Sequence, residues 1–132
     1  MPFLHNIKTF FIFFPIFLGI DLIWLGKISK SFYDKEFQAF ERTLNWPAAI
    51  FVYILIPLGI LLFVLPKASG NPLLGLMWGA IFGLVVYGVY NLTNLAILAN
   101  WTLKLTIVDI LWGIFVNGLG GFIITHISNL LK

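Results

Sequence analysis

Four stretches of the chain, at about 8–26, 47–65, 73–99 and 105–130, are apolar almost without interruption. Each meets the roughly 20 helical residues needed to cross about 30 Å of hydrocarbon. Pro47 and Pro72 stand near the expected helix starts, where a missing N–H costs little. Pro15 and Pro57 lie inside spans and are expected to kink them. The connections at 66–72 and 100–104 are short, so sequential helices run antiparallel. The pattern predicts an all-α polytopic membrane protein: one up-down-up-down bundle of four transmembrane helices, forming a single membrane domain over 1–132.

The longest connection, 27–45, carries Tyr33, Phe37, Phe40 and Leu44 at spacings of four, three and four, with Lys30, Asp34, Gln38, Glu41 and Arg42 between them. That period predicts a short amphipathic helix lying in the headgroup region between spans one and two. Ser31-x-x-Asp34 reads as a capping box at its start.

Small residues recur every four positions in the last two spans. Gly75, Gly79 and Gly83 run on into Tyr87 and Asn91, while Asp109, Gly113, Asn117, Gly121 and Thr125 follow the same interval. Such rows let helix backbones approach closely, so spans three and four are expected to pack on each other or on a second copy, which would make a homodimer.

Composition explains why the apolar runs cannot be soluble core. Of 132 residues 61 % are hydrophobic and only 10 % charged, and mean hydropathy is +1.02. A lipid bilayer is therefore the expected partner. The absence of cysteine removes disulfides, thiolate metal sites and cysteine nucleophiles. A net charge of +3 without a basic run argues against nucleic acid. Lys8 ahead of an apolar run resembles a signal peptide, but the run ends in Ile-Trp-Leu-Gly-Lys rather than a small-x-small site, so it reads as a retained span.

Inside the spans only Asp21 and Asp109 are acidic, and an intramembrane carboxylate is a functional candidate by default. Asp21 lies near the end of span one and Asp109 near the start of span four, which share a membrane side in an up-down bundle. The end of span three, with Tyr90, Asn91, Thr93 and Asn94, and the start of span two, with Tyr53, reach that side too. Each aspartate is followed three residues on by a tryptophan, in Asp-Leu-Ile-Trp at 21–24 and Asp-Ile-Leu-Trp at 109–112. The expected ligand-binding set is Asp21, Trp24, Tyr53, Tyr90, Asn91, Asn94, Asp109 and Trp112. Trp46 and Trp101 read as interface anchors. His5 and His126 read as polar residues near the opposite face, without metal-ligand spacing.

The segments DLIWLG (21–26), FY (32–33), NWPAAIFVY (45–53), YNLTNLA (90–96) and VDILWG (108–113) together resemble a bacterial family of small integral membrane proteins known as domain of unknown function 2177. The resemblance implies a four-span inner-membrane protein and no defined activity. That family typically has aspartate where this chain has Asn91, which removes one carboxylate.

Function therefore rests on the polar cluster. It predicts a non-enzymatic module that binds or transports a small polar molecule, a cation or a lipid headgroup. Alternatives are a membrane enzyme acting on lipid or fatty-acyl chains, with the two aspartates as acid and base, and a structural or accessory subunit. No Ser, Cys or His arrangement for a nucleophile is legible. No catalytic residue, metal or cofactor is expected: no lysine lies within a span to form a retinal Schiff base, and haem ligation has no support. Five basic residues flank the site's side (Lys27, Lys30, Lys35, Arg42, Lys104) and three the other (Lys8, Lys67, Lys132), which leans toward a site opening to the cytoplasm.

Overall fold

A computed structural model describes residues 2–132, and among them every regular element is helical. Helix α1 (Pro2–Ile23) passes into a π-helical turn at Trp24–Ile28, and α2 (Lys30–Glu36) follows at once. Helix α3 (Trp46–Gly59) continues through a π turn at Ile60–Val64 into α4 (Leu65–Ala68). Helices α5 (Pro72–Ile97) and α6 (Leu103–Leu130) complete the chain. The four spans, Pro2–Ile28, Trp46–Ala68, Pro72–Ile97 and Leu103–Leu130, have 27, 23, 26 and 28 residues. At 1.5 Å per residue each is about 35 to 42 Å long, enough to cross the hydrocarbon with some tilt.

Local chemistry fixes where three of these helices start. Asn45, Asn71 and Thr102 are extended, and their side chains accept from the backbone N–H of Ala48, Leu73 and Leu105 at 3.2, 2.9 and 3.0 Å. Each cap satisfies a donor that the helix itself cannot. Pro47 and Pro72 add a preset φ in the first turn. Between α4 and α5 the chain reverses through Ser69 and Gly70, both at positive φ (49° and 79°).

Helix α6 is the interior helix, packing on α1, α5, α4 and the π turn of span two. Its tightest neighbour is α5. The backbone at Gly75 abuts the Gly121 carbonyl, Gly79 that of Asn117, and Gly83 that of Gly113, so a Cβ at any of these three would overlap the opposing carbonyl. The glycine row of span three is thus spent on span four of the same chain, at a separation only glycine permits. Gly118 also faces α5 but less tightly, since a Cβ there would meet Leu76 and Ala80 at 3.3 Å or more. Gly120 faces away from α5, and a Cβ there would meet the movable ring of Phe17 and methyl of Ile60 at about 3.0 Å.

Helix α3 behaves differently along its length. From Trp46 to Ile56 none of its residues is buried, whereas Pro57, Gly59, Ile60, Leu61, Val64 and Ala68 all are. Pro57 withdraws an intrahelical N–H, and the helix relaxes into the π turn just beyond it. Gly59 lies so close to α5 that a Cβ there would strike the Phe82 ring at 2.5 Å. Pinned at Gly59, α3 splays from α5 and α6 over its first half while staying beside α1.

The connection 27–45 differs from its predicted form. The helix is short: α2 ends at Glu36, a single 3₁₀ turn covers Phe37–Ala39, and Phe40 is extended (φ −115°, ψ 140°). The capping box does not form. Ser29, not Ser31, precedes α2, and its hydroxyl donates to the Trp24 carbonyl at 2.7 Å, while Asp34 accepts from Lys30 Nζ at 2.6 Å. The segment folds in over the bundle end, because Tyr33 (7 % exposed) and Trp101 (7 % exposed) pack with Leu105 into a small core of their own. Trp101, expected as an interface anchor, stands against Phe37, Phe40 and Tyr90 and donates from Nε1 to Thr106 Oγ1 at 3.1 Å. Trp46 is two-thirds exposed.

Candidate functional site: two carboxylates beside a splayed helix

Asp109, half-buried on α6, has both oxygens occupied. Tyr33 Oη donates to Oδ1 at 2.7 Å and Asn91 Nδ2 to Oδ2 at 2.6 Å. Asn91 also donates to the Tyr87 carbonyl one turn back, at 2.9 Å, and is fully buried with its own Oδ1 unpartnered. A hydrogen bond to a charged group is worth about 1.5–3 kcal/mol, and a carboxylate in a membrane helix costs about 2.5–3.5 kcal/mol on the insertion scale. Two such donors therefore offset the cost of placing Asp109 in the bundle.

Asp21 is more buried, at 9 % exposed, and less satisfied. Trp112 Nε1 donates to Oδ1 at 3.0 Å, and among the described residues no donor reaches the second oxygen. The deficit falls at the C-terminal part of α1, where the helix dipole opposes a negative charge. Trp112 in turn lies flat on Trp24, with ring centroids 4.3 Å apart and planes 5° from parallel. Trp24 Nε1 points at Tyr33 Oη at 3.4 Å. A continuous chain of aromatic and hydrogen-bonded groups thus runs Asp21, Trp112, Trp24, Tyr33, Asp109.

Tyr33 sits outside the spans. Its hydroxyl is pushed above the ordinary phenol value of 10.0, first by burial and then by the negative charge of Asp109, so it stays a donor at neutral pH. Helix α2 is held in place by this bond and by Glu36 Oε1, which accepts from Thr102 Oγ1 at 2.7 Å.

The space left by the splay of α3 forms two cavities. One, about 330 Å³, lies between α1, α3 and α5 and has Asp21, Tyr53, Tyr87 and Phe17 in its wall. The other, about 550 Å³, lies between α3, α5 and α6 and has Tyr87, Tyr90, Leu55 and Asp109 in its wall. Val52, Ile56 and Tyr87 border both. The linings are mainly apolar, with one carboxylate and tyrosine hydroxyls in each.

Of the eight residues picked from sequence, Asp21 and Tyr53 border the first cavity and Tyr90 and Asp109 the second. Trp24 and Trp112 stand behind Asp21, and Asn91 behind Asp109. Asn94 is half-buried on α5 and borders neither cavity. Sequence reading missed two participants. Tyr87 was visible as a step in the glycine row one turn from Asn91, and Tyr33 as one position of an amphipathic stripe and in the Phe-Tyr pair at 32–33. It also missed a serine–histidine pair at the other end of the bundle, where His5 Nε2 and Ser128 Oγ lie 2.8 Å apart. The two residues are 123 positions apart, which no spacing rule connects.

Four spans long and apolar enough to cross a bilayer define a polytopic membrane protein. The profile of a family described as a predicted membrane protein, DUF2177, matches residues 6–125, and the chain belongs to that family. No curated protein and no solved structure matches it significantly.

Proposed function

We propose that the chain binds one amphipathic molecule inside the membrane, admitted from the lipid through the gap beside α3. Its apolar part would lie along Val52, Leu55, Ile56 and Val86, and its polar, hydrogen-bond-donating or cationic group would meet Asp21, with Tyr53 and Tyr87 beside it. The observation that carries this reading is the unequal treatment of the two carboxylates. Asp109 is fully partnered by the protein, while Asp21 keeps an oxygen free on the wall of a cavity. An oxygen open to the cavity can accept from a ligand donor, and one such hydrogen bond is worth about 0.5–1.5 kcal/mol net, more when the acceptor is charged. A lipid headgroup, a cationic amphiphile and a small polar solute of a transporter all supply such a donor.

The same inequality supports a second reading, a lipid-modifying enzyme in which differently housed carboxylates act as acid and base. One variant separates the two. Asp21→Asn keeps the shape and an acceptor for Trp112 while removing the charge. Native mass spectrometry of the protein extracted with its lipids should show the bound species lost in Asp21→Asn. Retention of the same adducts would sink the binding reading. A cellular lipid species that vanishes in the mutant would favour the enzyme.

The inner membrane belongs to the same proposal and rests on the family resemblance, and a site opening to the cytoplasm rests on five basic residues against three. A homodimer through α5 and α6 would use their outer faces, because the glycine row of α5 lies against α6 of the same chain.

A further inference from the structure

At the end of the bundle away from the aspartates lies a third cavity, about 260 Å³. His5 and Asn6 reach it from the first turns of α1, Ser128 and Asn129 from the last turn of α6, and Ser69 and Gly70 from the turn between α4 and α5. Lys132 lies at its rim, and Leu61 and Leu65 give it an apolar side. Its level is that of the span ends, where the phosphates of a leaflet lie.

The walls are fixed. Ser128, 5 % exposed, is hydrogen-bonded to His5 Nε2 at 2.8 Å, and fully buried Thr9 donates to the His5 carbonyl at 2.8 Å. Asn129 Nδ2 donates to the Gly70 carbonyl at 2.8 Å, tying α6 to the turn. The charged side chains of this half of the bundle have one sign. All five acidic residues, Asp21, Asp34, Glu36, Glu41 and Asp109, belong to the other half, whereas Lys8, Lys67 and Lys132 belong to this one, and Lys132 borders the cavity.

We infer that this cavity binds a phosphate group, that of an anionic phospholipid in the leaflet opposite the one bearing the aspartates. Lys132 at the rim, the Asn6 amide, the one donor hydrogen that the His5–Ser128 pair does not use internally and the amide hydrogen that Asn129 does not give to Gly70 are donors of the kind a phosphate oxygen accepts. Leu61 and Leu65 match the glycerol and first acyl carbons that follow it. The serine–histidine pair acts in binding and not as a nucleophile and base, since no side-chain carboxylate lies in this half of the bundle to orient the imidazole. Free inorganic phosphate shares the chemistry without the acyl chains, and experiment separates the two.

The test uses the full chain in lipid nanodiscs of phosphatidylglycerol or phosphatidylcholine, with native mass spectrometry reading the lipids retained on ejection. Phosphatidylglycerol should be retained in preference. Lys132→Glu and, independently, His5→Gln should each lower that preference about tenfold, the effect of losing one charge-assisted hydrogen bond. Lys35→Glu, an equal charge reversal on α2, should leave it unchanged. The two pocket variants are substituted separately, so that misfolding of one leaves the other to decide. Equal retention of the two lipids, or an equal loss with Lys35→Glu, overturns the inference. A thermal shift with inorganic phosphate in detergent, without any preference between lipids, overturns the lipid as source.

Discussion

Tyr33 and Asp109, 76 residues apart, are joined by a 2.7 Å hydrogen bond that ties the connection between spans one and two to the fourth span. The bond makes α2 part of the bundle instead of a helix floating among headgroups. It also frees Asp109 from dependence on water.

Tyr33→Phe keeps the ring among Trp24, Phe32 and Phe37 but leaves Asp109 Oδ1 without its donor. The expected loss is about 1–3 kcal/mol, seen as a lower melting temperature in detergent. Thr93→Ala, at an exposed position of α5, should fall within about 0.5 kcal/mol of the parent. If the two variants melt alike, the bond does not anchor α2.

Trp112→Phe preserves an aromatic ring against Trp24 and removes the one donor that Asp21 has among the described residues. A destabilisation of about 1–3 kcal/mol is expected from leaving this carboxyl oxygen without its donor. Trp24 fluorescence should change with the loss of its stacked neighbour. An unchanged melting temperature would show that Asp21 finds another donor.

Gly83→Leu forces side-chain atoms into the Gly113 carbonyl and should cost about 3 kcal/mol or more, separating α5 from α6 and displacing Tyr87 and Asn91 with them. Gly118→Ala should be nearly neutral. Gly120→Ala should be intermediate, since Phe17 and Ile60 can give way by side-chain movement. Thermal melts of the three variants establish the order, and a Gly83→Leu protein as stable as the parent would contradict the packing.

Asp34 offers a pH test outside the spans. Its carboxyl is held below the ordinary value of 3.8, first by the hydrogen bond from Lys30 and also by the charges of Lys30 and Arg42. A depressed acid contributes stability above its unfolded value and loses it as pH falls through the folded one. Amide exchange in 30–42 should therefore accelerate relative to the spans below pH 3.8, and Asp34→Asn should abolish the difference. Exchange with no pH-dependent excess would show that the pair does not order α2.

Much of this protein was legible in one dimension. Apolar runs set the four spans because a bilayer imposes a length and excludes charge, and Pro47 and Pro72 marked where two of the helices begin. The glycine rows predicted the α5–α6 contact because a period of four encodes a helix face, and a face without side chains can only approach another backbone. The two aspartates were conspicuous for what a carboxylate costs in lipid. Four features came only from tertiary structure. The splay of α3 depends on where Gly59 meets Phe82 relative to Pro57, a relation between two helices. Tyr33 and Trp101 read as interfacial residues because a headgroup layer and a bundle end reward the same amphipathic stripe, and only the fold decides which one receives it. The pairing of His5 with Ser128 joins the two ends of the chain. The difference between a partnered Asp109 and a half-partnered Asp21 is set by which donors three other helices deliver, and no local spacing carries that information.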